Sequence, residues 1–556
     1  MWMAVEHFIA PPVQAQGSAP ESIFVNTRIY KADAKFTTAE ALAVSHGKIT
    51  AIGSASEIRK MAGPQTRVFD LQGKTVVPGL EDNHLHGAGG GPGVDLSRAR
   101  TLDEVLKNIG DRVKKAETGE VVVTNADWHE AQLKEQRVPY RKDLDKVAPS
   151  TPVVVVRGGH EYILNTAALN KWDINKNTPE PAGGRISRGE NGELNGELVD
   201  TAKSFVKLPP PKPPTLEDLV AEHRKLNAAG LTSIRYPGAS VEQYRTLQEM
   251  QKRGLLTIRV TQLMRPPART PQQLREMLAQ GGVKPDEGDE WLKVAGVKLA
   301  VDGGFEGGWM RDLYQKPYDE GGTYRGLNTF PQAAFNEVVK EANRLGWRVA
   351  THAVGDAAID EVLTAYEAAD AEKSIVGKRW AIEHGFIPRD DQFPRMKKLG
   401  LEISAQDHLY LAGPSLVKMW GKERAAWVTP MRKYIDEGLP VSGGTDAPVV
   451  PYPPLWVFYH FVTRDTITGG VLGPDQRISR QEALRVLTVN NAHLTFEENT
   501  KGSLEVGKLA DFIVLPEDLM IAPAKTIESM GVLMTVVGGK PVYQDDKYRP
   551  AISGGR

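Results

Sequence analysis

The chain of 556 residues contains no cysteine. This absence excludes disulfide bonds, thiolate metal ligands and a cysteine nucleophile. Any metal must then be held by histidines, carboxylates or a less usual ligand. Long hydrophobic runs are also missing, because no stretch approaches the roughly 18 consecutive apolar residues of a transmembrane helix. The sequence therefore predicts no membrane span.

The net charge is also small, because 69 Lys and Arg residues and 70 Asp and Glu residues give a formal charge of −1. A near-neutral chain lacks the overall basic field that attracts nucleic acid. We therefore expect a small-molecule partner and no nucleic acid, with a homo-oligomer left open. Hydrophobic residues make up 40% of the chain, which is enough for a large buried core.

The first residues give a mixed signal. Residues 1–21 contain short apolar stretches and a small-residue tripeptide, Val13-Gln14-Ala15, that resembles a signal cleavage site. They lack the basic segment that normally opens an export signal. We interpret them as a disordered tail or the remnant of an export signal. A cytoplasmic location is favoured, and an exported or periplasmic one stays open.

The middle of the chain alternates short apolar strands with helical patterns, which is typical of a parallel sheet built from βαβ units. Eight segments have the composition of barrel strands, at residues 79–86, 231–236, 255–263, 291–303, 347–352, 379–384, 401–407 and 440–446. Eight is the number that a closed (β/α)₈ barrel requires. The sequence therefore predicts an α/β protein with a TIM-like barrel over residues 79–489.

Both ends of the chain are rich in β-segments. These segments are residues 22–78 and 490–548. The two termini of a chain commonly lie close together in space. We expect them to form one small, composite β-sandwich domain. Residues 97–215, which have strands of their own, are interpreted as an insertion after the first barrel strand. The Pro-rich segment at 207–215 is interpreted as its exit linker.

Histidines and an aspartate fall where these strands end. His84 and His86 lie two apart and share one face of the first strand. His352, His384 and Asp446 close three further strands. Barrel enzymes place their chemistry at the carboxyl ends of the strands, so these side chains are expected to meet at one mouth. Imidazole and carboxylate are suitable ligands for a divalent metal.

Lys298 shares one face of its strand with Asp302. If this face points into the barrel, the ammonium lies among histidines and is repelled by a metal cation. Reaction with carbon dioxide would convert the amine into an anionic carbamate that can bridge two metals. Asp302 is a candidate for orienting ligands or substrate.

A single histidine at a strand end is more often a hydrogen-bonded core residue than a metal ligand. The prediction of a metal site therefore depends on several candidate ligands occurring together at the ends of different strands. The other histidines outside the inserted segment lack this placement and are expected to be structural or exposed. These are His7, His46, His223, His408, His460 and His493.

Several segments together resemble the metal-dependent amidohydrolase superfamily. They read VVPGLEDNHLH, VKLAVDGG, THAVGDAAID, IEHGFI and GGTDAPVVPYPPL. Within it, the sequence more closely resembles the branch that includes N-substituted formamide deformylases, amidohydrolase family 3. It extends from about residue 22 to residue 545.

The resemblance implies a role for each ligand candidate. His84 and His86 would bind the more buried metal, and carbamylated Lys298 would bridge it to a second ion. His352 and His384 would hold that second ion, most simply Zn²⁺ in a centre of one or two ions. Asp446 would be both ligand and proton shuttle. The expected catalytic residues are thus Asp446, Lys298 and His384. His160, in the insertion, matches a position near the substrate pocket.

The chemistry follows from charge. A bound cation lowers the pKa of water and polarises a carbonyl, which suits cleavage of carbon–nitrogen bonds in amides or formamides. An esterase, lactonase or carbamate hydrolase using the same site, and a metal-bound protein without catalysis, stay open. Loop aromatics predict an apolar or aryl substrate. They are Trp128, Tyr162, Trp309, Tyr314, Trp456, Phe458 and Tyr459, of which Trp128 and Trp309 are the primary candidates for substrate binding.

Overall fold

The computed structural model describes residues 18–554 except 90, 92, 190, 209–213, 317 and 320. Most of the predicted tail (1–17) and the middle of the predicted Pro-rich linker (209–213) lie outside the described residues. Among the helices that are described, none combines the length and the apolar character needed to cross a bilayer.

Strands occur along the whole described chain. The first 200 residues contain β1 (Ser22–Tyr30), β2 (Thr38–Ala39), β3 (Ala41–Ser45), β4 (Lys48–Gly53), β5 (Arg67–Pro78), β6 (Leu80–Asp82), β7 (Val122–Val123), β8 (Val153–Arg157), β9 (Glu161–Leu164), β10 (Gly184–Arg188) and β11 (Leu194–Asp200). The remainder contains β12 (Leu231–Ala239), β13 (Arg259–Met264), β14 (Leu292–Ala300), β15 (Val349–Ala353), β16 (Ala381–His384), β17 (Glu402–Gln406), β18 (Val441–Gly444), β19 (Asp465–Thr466), β20 (Gly470–Val471), β21 (Phe512–Leu515), β22 (Met534–Val537), β23 (Lys540–Gln544) and β24 (Ala551–Ser553).

Helices separate most of these strands. They are α1 (Ala55–Lys60), α2 (Leu102–Val113), α3 (Arg141–Val147), α4 (Thr166–Lys171), α5 (Leu216–Ala228), α6 (Val241–Lys252), α7 (Pro271–Gly281), α8 (Gln332–Arg344), α9 (Asp356–Glu372), α10 (Phe393–Leu399), α11 (His408–Trp420), α12 (Lys422–Trp427), α13 (Met431–Asp436), α14 (Pro454–Thr463), α15 (Arg480–Val486), α16 (Val489–Leu494) and α17 (Ala524–Ser529). Short 3₁₀ turns cover Glu130–Gln132, Thr201–Phe205 and Pro474–Gln476.

Eight parallel strands form a barrel that is nearly closed. Their order is β18-β17-β16-β15-β14-β13-β12-β6, and each pair is parallel. Backbone hydrogen bonds connect the first and last strands, because the Asn83 N–H donates to the Gly443 carbonyl at 3.2 Å. A second bond follows, in which the Asp446 N–H donates to the His84 carbonyl at 2.6 Å. Each strand lies within or beside a predicted segment, so the predicted TIM-like barrel is confirmed.

Burial explains why these segments form strands and outer helices. All six residues of β13 are buried, as expected for a parallel strand covered on both faces. Helix α8 buries Phe335, Val338, Val339 and Ala342, which recur at helical spacing on one face. Strands and helices bury these faces in one extensive apolar core.

Strands from both chain ends share one nine-stranded sheet. Strand β5 lies inside it, parallel to β1 and antiparallel to β21, and β24 also pairs with β5. Phe24 stacks on Phe69 with ring centroids 4.6 Å apart and meets Phe512 edge-on. The expected composite of the two ends is thus present as one sheet. Its division into two sandwich layers and the predicted domain boundaries stay predictions.

Gly79 joins this sheet to the barrel, since it is the single residue between β5 and β6. A Cβ atom at this position would lie 2.2 Å from Thr232 Oγ1, so only glycine fits the close approach. The inserted segment forms a separate sheet of five strands, in the order β10-β11-β9-β8-β7. The turn between β8 and β9 brings His160 against His352 of the barrel, with ring centroids 5.4 Å apart.

Candidate metal centre

The predicted ligands lie at the carboxyl ends of the barrel strands. His84 and His86 follow β6, and Asp446 follows β18. His352 is the second-last residue of β15, and His384 is the final residue of β16. Lys298 lies near the end of β14 and is buried. The strand order therefore brings all six residues to the same barrel mouth.

Three of them form a group compact enough for one cation. His84, His384 and Asp446 each present a ligand atom, and these atoms all lie within 4.8 Å of one another. Asp446 Oδ1 is 3.4 Å from His84 Nε2 and 3.3 Å from Nε2 of His86. His384 and Asp446 also have left-handed backbone conformations, with φ of 73° and 63°. Such conformations are costly for non-glycine residues and cluster at functional sites.

The Lys298 ammonium lies beside this group, with Nζ 3.3 Å from His84 Nε2. Burial lowers the pKa of Lys298 to about 8, because little solvent stabilises its charge. Roughly a tenth of the amine is therefore neutral at pH 7, far more than for an exposed lysine. This is the form of the amine that can react with carbon dioxide.

His352 is close to the group but is oriented differently. Its ring centroid lies 4.6 Å from that of His384. Its Nε2 donates to the Gly303 carbonyl at 3.0 Å and lies 3.4 Å from Asp302 Oδ1. The structure thus brings His352 to the barrel mouth, but Nε2 of His352 contacts neighbouring protein oxygens.

The protonation states suit a divalent cation. Burial lowers the pKa of His84 to about 4, so its imidazole is neutral at pH 7. Burial opposes the charge of Asp446, but His84 and hydrogen bonds from His408 and His86 outweigh it and hold the Asp446 pKa well below its usual value. Neutral imidazole nitrogens and an ionised carboxylate are typical ligands of Zn²⁺. The residues present therefore fit a metal.

Buried acceptors orient two of the imidazole rings. Glu383 Oε2 lies 2.7 Å from His84 Nδ1, and the other oxygen of Glu383 pairs with Arg235 at 2.7 Å. Gln406 Oε1 lies 2.6 Å from His384 Nδ1. Both contacts direct the opposite ring nitrogen, Nε2, towards the mouth, as partners of metal-binding histidines commonly do. These partners were not predicted from the sequence.

His408 corrects one sequence expectation. It was expected to be structural or exposed, but its Nε2 lies 3.2 Å from Asp446 Oδ2. It is the first residue of α11 and follows β17 by two positions. The segment LEISAQDHLY carried a usable signal, because His408 comes directly after a barrel strand.

Two predicted substrate residues line the cavity at the mouth, although both have protein partners. His160 Nδ1 lies 2.6 Å from Asp200 Oδ1. The Asp302 carboxylate accepts the backbone N–H groups of Val354 at 3.0 Å and Gly355 at 2.9 Å. Asp302 thus secures the loop after β15 beside the site.

The predicted aromatic wall is wrong for Trp128. Its side chain is fully buried in the insertion, where Nε1 donates to the Val156 carbonyl at 2.7 Å. Trp309 is half-buried against the barrel core, and its backbone N–H donates to Asp302. Neither tryptophan is among the described residues that line the cavity. The physical reason is that large apolar rings are more stable in a core than at a wet mouth.

The cavity itself has a volume of about 490 Å³. The candidate ligands line it from the barrel, and Gly158, Gly159 and His160 line it from the insertion. The remaining described lining residues include three cations and no aromatic ring other than histidine, and the cations are Lys203, Arg265 and Arg269.

A sequence model described as "Amidohydrolase family" matches residues 67–543, which is most of the chain. The chain belongs to the amidohydrolase family. The expectation of a hydrolase of this family, acting on carbon–nitrogen bonds, is thereby confirmed. The amidohydrolase is 30% identical to an N-substituted formamide deformylase of Arthrobacter pascens, over 94% of this chain and 98% of the relative.

The chain is also similar to a second curated protein and to a solved structure. Protein LONG AFTER FAR-RED 3 of Arabidopsis thaliana is 29% identical over 96% of this amidohydrolase and 93% of its own length. An uncharacterised metal-dependent hydrolase from Pyrococcus horikoshii matches with a TM-score of 0.67 and 24% identity, covering 91% of this chain and 99% of its own. This last likeness supports the fold alone.

Proposed function

We propose that this amidohydrolase uses a divalent metal to hydrolyse the carbon–nitrogen bond of a small amide or formamide. The observation that carries the proposal is the group of His84, His384 and Asp446, whose ligand atoms lie within 4.8 Å of one another at the barrel mouth. The similarity to a formamide deformylase supports the same reaction class.

His84, His86, His384 and Asp446 would hold the metal, with His352 available if its ring turns from the Gly303 carbonyl. Zn²⁺ matches this set of nitrogen and oxygen donors. When bound, such a cation supplies a Lewis acid that lowers the pKa of water and polarises a carbonyl. The buried position of His84 keeps this ligand neutral at neutral pH.

Lys298 would complete the ligand set as a carbamate. Its neutral amine would form an N–C bond with carbon dioxide and release one proton, leaving an anionic carbamate. The 3.3 Å distance from Nζ to His84 Nε2 supports this assignment, because the new oxygens would extend into the same group. The change also removes a buried positive charge that a metal would repel. A carbamate has two oxygens, so it can serve one ion or two.

Asp446 would carry the proton during hydrolysis. Its carboxylate would accept a proton from the attacking water and deliver it to the leaving nitrogen. The low pKa of Asp446 keeps it ionised and ready to accept. His408, 3.2 Å from Asp446 Oδ2, would hold the carboxylate in one orientation.

Metal content measured together with turnover tests the proposal. Chains loaded with Zn²⁺ are assayed on formamides, acetamides and the corresponding esters. We expect bound metal and faster cleavage of the amides, both reduced by Asp446→Asn. Asp390→Asn is the control, since the Asp390 side chain is 86% exposed. Faster ester cleavage would favour an esterase or lactonase, and bound metal without any turnover would favour a binding protein.

A further inference from the structure

Basic side chains line the cavity of about 490 Å³ beside the candidate metal centre, whereas Phe305 and Phe386 line a smaller cavity that also reaches His384. Lys203 comes from the inserted segment, while Arg265 and Arg269 follow β13. The acidic side chains that line the same cavity already have partners. Asp200 bonds to His160, and Asp302 accepts backbone N–H groups. Asp446 belongs to the candidate metal centre.

Of the three cations that line the cavity, Arg265 is the one whose side chain has no hydrogen-bond partner among the described residues. Its backbone N–H donates to the Ala239 carbonyl at 3.0 Å. Its guanidinium forms no hydrogen bond and no ion pair with any residue that the structure describes. The side chain is exposed within the cavity, so its planar pair of donors is available to a ligand.

The hydrogen bonds and ring contacts of the other two cations are to neutral groups, although the nearby carboxylates of Asp200 and Glu161 favour the charge of Lys203. Lys203 Nζ donates to the Gly159 carbonyl and lies 5.2 Å from the centre of the Tyr162 ring. Arg269 donates to the Thr329 carbonyl at 2.9 Å and lies over an aromatic ring. Carbonyls and rings position these two cations, and neither cation forms an ion pair with a residue that the structure describes.

Like charges gathered in this way oppose one another. Burial lowers the pKa of Lys203; Asp200 opposes this effect and the neighbouring Arg265 adds to it. The three cations give this wall of the cavity a positive charge, which an anion entering the cavity would complement.

We propose that Arg265, Lys203 and Arg269 form a subsite for a carboxylate on the substrate. The inference rests on the proposed function and narrows its substrate class to amides whose acyl or amine half carries a carboxylate. A guanidinium binds a planar carboxylate through two parallel hydrogen bonds, which suits the free donors of Arg265. A small carboxylate-bearing amide fits a cavity of about 490 Å³.

Matched substrates test the subsite with the metal-loaded enzyme. Formate release is measured for para-(formamidomethyl)benzoate and for its neutral carboxamide, which share the scissile bond. We expect a higher kcat/KM for the carboxylate. Arg265→Met should lower that kcat/KM by roughly 10- to 100-fold, the effect of losing a hydrogen bond to a charged group, and leave the carboxamide unchanged. Arg265→Lys should retain part of the preference.

Arg224→Met is the matched control. Arg224 is exposed and lines a different cavity, together with Arg259 and Trp291 at the amino ends of the barrel strands. It should leave the preference for the carboxylate intact. Equal kcat/KM values for the two substrates, or an unchanged ratio in Arg265→Met, would overturn the subsite and leave the proposed amide hydrolysis standing.

Binding separates the two proposals if no amide is cleaved. Calorimetric titration of the metal-loaded chain with para-(formamidomethyl)benzoate should then show binding that Arg265→Met weakens and that the carboxamide lacks. This result would support the carboxylate subsite while the proposed hydrolysis fails. Equal binding of both compounds, or binding of neither, would contradict the subsite.

Discussion

Glu383→Gln should weaken metal binding and destabilise the apo-protein. In the structure Glu383 is fully buried and lies between two partners, His84 Nδ1 at 2.7 Å and Arg235 at 2.7 Å. Burial opposes its charge, but Arg235, Lys298 and His84 hold the Glu383 pKa well below its usual value. The wild-type side chain is therefore an anion, and glutamine of the same shape removes only the charge and one acceptor.

The expected magnitude has two parts. Loss of the acceptor that orients a metal-binding histidine typically costs 10- to 100-fold in metal affinity, or about 1.4 to 2.8 kcal/mol. Loss of one partner of a buried ion pair costs about 3–5 kcal/mol of folding free energy, because Arg235 is left buried beside a neutral group. The first part concerns the metal-bound protein, and the second concerns the apo-protein.

The assay is a zinc titration against a competing chelator, combined with urea unfolding of the apo-protein. Glu361→Gln is the control, because Glu361 is also buried and burial raises its pKa to about 8. It is thus largely neutral at pH 7, and the amide should cost little. An unchanged zinc affinity in Glu383→Gln, with unfolding equal to that of the control, would refute the orienting role of Glu383.

Three further changes have defined outcomes. His408→Asn should lower kcat roughly 10- to 100-fold with a smaller effect on KM, because it removes a hydrogen bond to the charged Asp446. Steady-state kinetics that show an unaltered kcat would contradict this role of His408. Asp511→Asn should destabilise the fold by about 3 kcal/mol in urea unfolding, because Arg259 pairs with Asp511 through contacts of 2.6 and 3.1 Å between the barrel and the terminal sheet. Burial lowers the pKa of His223 to about 4, so the unfolded chain binds the extra proton, and the contribution of His223 to stability should fall by about 1.4 kcal/mol per pH unit as pH drops from about 6.5 towards 4. His223→Gln should flatten that slope in unfolding measured from pH 7 to pH 5, and an identical slope would contradict a neutral buried His223.

The sequence predicted the barrel and most of the candidate metal centre because both depend on local patterns. His384 and Asp446 end apolar strands, and parallel strands of a barrel bring their carboxyl ends together. The lysine on the inward face of β14 follows from the two-residue period of a strand. None of these inferences needs a long-range contact to be known in advance.

Contacts between residues that are far apart in the chain could not be predicted from the sequence. Glu383 and His84 are 299 positions apart, and no periodicity connects them. The cations of the proposed carboxylate subsite come from the insertion and from a barrel loop, among 69 Lys and Arg residues. Trp128 was misassigned for the opposite reason, because a tryptophan near a predicted mouth can equally well pack into the core of an insertion.

Anomalous X-ray diffraction at the zinc edge, from crystals of the zinc-loaded chain, tests the central claim most directly. We expect a peak about 2.0–2.2 Å from a nitrogen of His84, a nitrogen of His384 and an oxygen of Asp446. Additional density for a carbamate on Lys298 Nζ is expected beside it. A zinc peak elsewhere in the molecule, or full zinc loading with no peak between these three residues, would contradict the account.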